Sequence, residues 1–98
     1  MNKPITLFFY SDPGHGWLAV RSKLILDLKI SHVISQYSYI STSGETVYLE
    51  EDCDMQKFHD AMKAANREYK IKPMYAQGES KIRQLHPYSP ARLRKGSE

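Results

Sequence analysis

Between two apolar runs near the start of the chain lies the pentapeptide DPGHG, Asp12 to Gly16, and it constrains the fold more than any other stretch. Proline presets φ and glycine permits positive φ, so the backbone turns here. The preceding ITLFFYS (Ile5–Ser11) is β-branched and aromatic and reads as a buried strand. The following WLAV (Trp17–Val20) returns as a second strand, and the two make a hairpin. The turn displays Asp12 and His15 and launches Trp17 into that second strand.

Further along, Ser22 stands where it would cap a short helix over Lys23–Lys29, with Leu24, Ile25 and Leu28 on one face. SQYSYIS (Ser35–Ser41) and TVYLEE (Thr46–Glu51) are strand-like runs joined by the glycine-containing loop TSGE. In the second run Val47 and Leu49 alternate with Thr46, Tyr48 and Glu50, the pattern of a strand with one buried face. Asp52 is placed to cap a helix running to about Arg67, in which Met55, Phe58, Met62, Ala65 and Tyr69 recur at spacings of three or four. YKIKPMYA (Tyr69–Ala76) reads as a strand that Pro73 confines to an edge or a bulge, and Ser80–Leu85 as a last short strand.

The order β-β-α-β-β-α-β predicts an α+β fold: a mostly antiparallel sheet of about four to five strands with two helices on one face. At 98 residues there is room for one domain, expected over residues 1–88. Beyond Pro87 no periodic core pattern remains, and 89–98 reads as a flexible basic tail. With 41% hydrophobic and 26% charged residues the chain is globular rather than disordered. Cys53 is the only cysteine, which excludes an intrachain disulfide. No leader pattern opens the chain, and no apolar run approaches the roughly 20 residues that span a bilayer, so a cytoplasmic protein without a membrane partner is expected.

Charge is distributed unevenly. Glu45, Glu50, Glu51, Asp52, Asp54 and Asp60 face only Lys57 between positions 45 and 60, whereas the remainder of the chain is basic. Such polarity favours an oriented electrostatic surface over a uniform nucleic-acid coat. The acidic run YLEEDCD admits two chemistries. Clustered carboxylates can hold Mg²⁺ or Mn²⁺, and they can dock on a basic partner. A strand end followed by a helix cap explains the same residues without function. Asp12 and His15 are the candidate catalytic pair, since a carboxylate can orient an imidazole for proton transfer. An Asp that only stabilises its turn is the alternative. No histidine shows a metal-ligand spacing.

Cys53 near a helix start would gain reactivity from the helix, but its acidic neighbours oppose this, and a buried, inert thiol is expected. Gly14 and Gly16 lack the rest of a dinucleotide fingerprint. Lys70, Lys72, Lys81, Arg83, Arg92, Arg94 and Lys95, interleaved with Tyr75, can track a phosphate backbone, or simply keep an edge strand and a tail soluble.

SDPGHGWL, YLEED and GESKIR, in this order and spacing, resemble a family of small proteins from tailed phages and prophages. The resemblance covers roughly residues 5 to 88. It implies a shared surface at Asp12, His15, Trp17, Glu50, Glu51, Asp52, Ser80 and Arg83, and an accessory role in the host cytoplasm, with no activity or cofactor attached. The expected function is therefore a non-enzymatic protein that binds and modulates or inhibits a host macromolecule, most naturally a host protein such as a defence component. Its expected binding surface joins His15 and Trp17 to Tyr48, Glu50, Glu51, Asp52 and Asp54, with Ser80 and Arg83 added by the resemblance. The first alternative is a metal-dependent phosphoesterase or nuclease built on Asp12, His15, Glu50 and Asp52. The second is nucleic-acid binding through the basic residues named above.

Overall fold

A computed structural model describes residues 4–75 and 81–95. Strands β1 (Ile5–Ser11) and β2 (Gly16–Arg21) form the expected hairpin, with Phe9 opposite Leu18 and Tyr10 opposite Trp17. The turn is fixed by Asp12, whose carboxylate accepts the backbone N–H groups of Gly14 and His15, each at 2.9 Å. Gly16 is required by close approach, because a Cβ there would lie 2.3 Å from the Phe9 ring.

Helix α1 (Ser22–Asp27) follows directly, then β3 (Tyr39–Ile40), β4 (Thr46–Glu50), α2 (Met55–Ala64), β5 (Tyr69–Tyr75) and β6 (His86–Pro87). The six strands lie in the order β5-β1-β2-β4-β3-β6. Only β1 and β5 run parallel, so the α+β sheet is mixed but mostly antiparallel. Pro73 sits where its missing N–H is tolerated, in the edge strand β5.

Alternation divides the sheet into two unlike faces. Leu7, Leu18, Val20, Val47 and Leu49 form the core together with Leu24 and Ile25 of α1 and Phe58 and Met62 of α2. The other face carries Thr6, Phe8, Tyr10, Trp17, Ala19, Tyr48 and Glu50, joined through the β1–β5 register by Lys70, Lys72 and Met74. Both helices turn their buried residues to the first face, and among the described residues the second is covered only at its Trp17 end, by Arg83. None of the described helices is long and apolar enough to cross a membrane.

Several elements depart from the sequence expectation. The run Ser35–Ser41 yields only a two-residue strand, because Ser35 and Ser38 spend their hydroxyls on Asp54. Helix α2 begins after Asp54 rather than Asp52, and no side chain caps it. Ser22 lies inside α1, and its hydroxyl donates instead to the Gly44 carbonyl at 2.6 Å. Lys81–Gln84 is a 3-10 helix rather than a strand, and the last strand falls at His86–Pro87.

Of the segment 89–98 expected as a loose tail, the part up to Arg94 is held to the domain, and 96–98 lie outside the described residues. Tyr88 is buried and donates its hydroxyl to the Ser31 carbonyl at 2.6 Å. Burial and the Asp54 charge push that hydroxyl's pKa up to about 12. Pro90–Arg92 is a further 3-10 turn, Leu93 packs on the core, and the Arg94 N–H donates to Gly44 at 2.8 Å.

Candidate functional site

The strand ends nearest the DPGHG turn bring His15, Trp17, Glu50 and Arg83 together. Trp17 and Glu50 are cross-strand partners on the open face. The Glu50 carboxylate is buried and accepts the backbone N–H groups of Asp52 (2.8 Å) and Cys53 (2.9 Å) through Oε1. Its second oxygen, Oε2, faces Nδ1 of the half-exposed His15 at 3.4 Å. The imidazole is thus oriented by Glu50, and the expected Asp12–His15 catalytic pair is not formed.

Asp12 is committed elsewhere. Its buried carboxylate holds the turn N–H groups and receives the Arg83 guanidinium through Nε at 2.9 Å and Nη2 at 3.1 Å. This two-point pair joins residues 71 positions apart. The same guanidinium lies over the Trp17 ring, 5.2 Å from its centroid, and Tyr39 meets that ring edge-on. Trp17 is consequently only 2% exposed. Arg83, read in the sequence as a surface or phosphate-binding residue, instead fastens the chain after β5 onto the hairpin turn.

A forked guanidinium suits a carboxylate in a way that a lysine ammonium does not. Arg83→Lys should therefore lower stability by about 1–2 kcal/mol, although charge is conserved. Urea unfolding followed by the fluorescence of Trp17, the only tryptophan, reads this directly.

His15, Glu50, Asp52, Cys53 and Arg83 share a cleft of about 290 Å³ with Trp17, Tyr37 and Tyr39. Cys53 is exposed there, not buried as expected. Partial desolvation, a hydrogen bond to Glu50 and the Glu50, Asp54 and Asp52 charges all raise its pKa. The thiol is therefore held protonated and is a poor nucleophile at neutral pH. Alkylation of Cys53 at about pH 8 should run slower than for an unperturbed thiol, and Asp52→Asn should speed it. Rates measured across pH check the sign.

The remaining sequence candidates disperse. Glu51 lies on the far side of the strand end, beside Phe9 and Met55. Asp54 is fully buried and binds Ser35, Ser38 and Lys57. Tyr48 stands on the open face beside Tyr10, ring centroids 6.2 Å apart. Lys70 and Lys72 reach the same face from β5. Arg92 and Arg94 pack by Gly44 in the β3–β4 hairpin, and Arg94 turns its guanidinium onto the carbonyls of Ala91 and Leu93. Lys81 opens its 3-10 helix at the surface, and Lys95 lines a groove with Arg21, Asp27 and Arg67. Ser80 lies outside the described residues.

Among the described residues no three His, Cys, Asp or Glu side chains converge in a way that could hold a metal ion. The sequence reading missed Phe8, Tyr10 and Met74 as surface residues. Their alternation with Leu7 and Phe9 carried the signal, but an all-apolar strand gives no sign of which face stays uncovered. Searches against family models, curated proteins and solved structures found no match to this chain.

Proposed function

We propose that this chain is a non-catalytic binding protein that docks on a host macromolecule through the open face of its sheet, in the accessory role that the tailed-phage resemblance implies. Inhibition or modulation then follows from occupying the partner's surface. The observation that carries this reading is the face itself. Phe8 and Met74 are exposed and Tyr10 and Tyr48 half-buried on a sheet whose two helices both pack on its other side. Partly exposed aromatic surface of this kind, not covered by either helix among the described residues, marks interaction sites. Three features of the cleft weigh against catalysis. Asp12 is committed to Arg83, the Cys53 thiol is held protonated, and among the described residues the His15–Glu50 pair has no activated nucleophile beside it.

A photoreactive phenylalanine in place of Phe8 tests the reading in host cells. Irradiation should give a covalent adduct with a partner, whereas the same group in place of Lys63, exposed on α2, should give none. No adduct at position 8, or equal adducts at both positions, overturns it.

A further inference from the structure

If the open face is the docking surface, as proposed above, its chemistry specifies the occupant further. Phe8, Tyr10 and Tyr48 follow one another with ring centroids 6.3 and 6.2 Å apart. Their planes are inclined at 44° and 63°, so the rings do not stack face to face on one another. Phe8 is 39% exposed, enough to offer a face to an incoming planar group. Burial and the neighbouring Tyr10 raise the Tyr48 hydroxyl's pKa, which keeps it a hydrogen-bond donor.

Lysines border this ladder. Lys72 is the cross-strand partner of Phe8, and Lys70 of Thr6. The only carboxylate that β1, β2, β4 and β5 turn to this face is Glu50, which is buried and already accepts two backbone N–H groups. An exposed ladder of rings beside lysines, with no opposing exposed carboxylate among the described residues of these four strands, matches one class of partner on both counts. Nucleobases stack on the rings while the phosphates neutralise the ammonium groups. An acidic peptide would satisfy the lysines but leave the ring faces unused. A duplex hides its bases inside paired strands, out of reach of a sheet face that offers its rings for stacking.

We propose that the open face binds single-stranded nucleic acid, with bases stacked on Phe8, Tyr10 and Tyr48 and phosphates held by Lys70 and Lys72. Binding of this kind tolerates many sequences, because every base has a π-face. It also explains why the basic residues divide as they do. Lys70 and Lys72 serve the strand, while Arg83 and Arg94 serve the fold.

The test is fluorescence anisotropy with labelled oligonucleotides of about ten nucleotides, single-stranded DNA and RNA in separate arms, titrated with the full chain. Either strand should bind, and the stronger arm identifies the source. Phe8→Ala and Tyr10→Ala should each weaken binding about tenfold, equivalent to about 1.4 kcal/mol. Because Phe8 is exposed, its variant should keep the wild-type circular dichroism spectrum and isolate stacking from folding. Lys72→Ala should flatten the slope of log K against log salt by about 0.7. Lys63→Ala should change nothing. Flat isotherms for both strands at low salt, equal affinity for the matching duplex, or indifference to Phe8→Ala and Tyr10→Ala would overturn the inference. If position 8 crosslinks to a protein while both isotherms stay flat, the single-strand inference fails and the docking surface stands. If nothing crosslinks there, both fail.

Discussion

Asp54→Ala is expected to lower stability by about 3–4 kcal/mol, seen as a fall in the urea midpoint with an unchanged slope. Asp54 has no exposed surface, and its two oxygens gather four donors. These are the Ser35 N–H at 3.0 Å, the Ser35 hydroxyl at 2.7 Å, the Ser38 hydroxyl and the Lys57 ammonium at 2.9 Å. Ser38, itself fully buried, also accepts the Glu50 N–H at 2.9 Å. One carboxylate therefore joins the 35–38 segment, the end of β4 and the start of α2. Deleting it strands the buried Ser38 hydroxyl and the part-buried Ser35 donors with no acceptor, and each such loss costs about 1–3 kcal/mol. A domain of this size holds about 5–15 kcal/mol in total, so the effect is large.

The pH dependence follows with a definite sign. Desolvation pushes the Asp54 pKa up, but the hydrogen bonds from Ser38, Ser35 and Lys57 outweigh it, and the folded value lies below the ordinary 3.8. A depressed carboxyl pKa gives stability that is present above the unfolded pKa and lost as pH falls through the folded one. The wild type should weaken on acidification below about pH 4. Asp54→Asn, which keeps the shape but not the charge, should be less stable at neutral pH and lose that part of the acid dependence. Urea titrations at several pH values separate the two.

Gly44→Ala should cost about 2–4 kcal/mol, the second largest effect expected. Gly44 has φ of 80°, in the left-handed region. A Cβ there would also stand 2.2 Å from the Arg92 carbonyl oxygen, which is backbone and cannot swing aside. The substitution thus combines conformational strain with displacement of the segment that carries Leu93 and Arg94. In a chain ending at Ser89 the clash has no partner. Only the strain, about 1 kcal/mol, should then remain. Thermal unfolding of the four chains measures the difference, and equal costs in both backgrounds would show that the segment carrying Leu93 and Arg94 does not rest on Gly44.

These sites also show where sequence reasoning succeeds and stops. The β1–β2 hairpin follows from Pro13, Gly14 and Gly16, and α2 from the spacing of Phe58 and Met62, because both signals are local. Alternation in Thr46–Glu50 likewise named the buried face of β4. The uses of Asp12 and Asp54 were not accessible in this way. Each is an acid beside a turn or a helix, and its partner, Arg83 or Ser35 and Ser38, is chosen by the tertiary fold. Trp17 shows the same limit. Its place in a strand was evident, but its burial depends on an arginine more than sixty residues downstream folding across it. The Ser35–Ser41 run misled for a physical reason, since strand-like composition yields where serines serve a buried carboxylate instead of a ladder.

The strands β5 and β6 are neighbours in sequence but form opposite rims of the sheet, five strand spacings or on the order of 24 Å apart. Neither rim can close before its own strand is made, β5 at Tyr69–Tyr75 and β6 at His86–Pro87. During synthesis the finished hairpin and β4 must wait with the bare backbone edge of β1 uncovered, a template for any passing strand. At roughly 5–20 residues per second the wait from the end of β4 at Glu50 to the end of β5 at Tyr75 is roughly one to five seconds. The β1 edge is thus most open to pairing with a neighbouring strand while β5 is still being made.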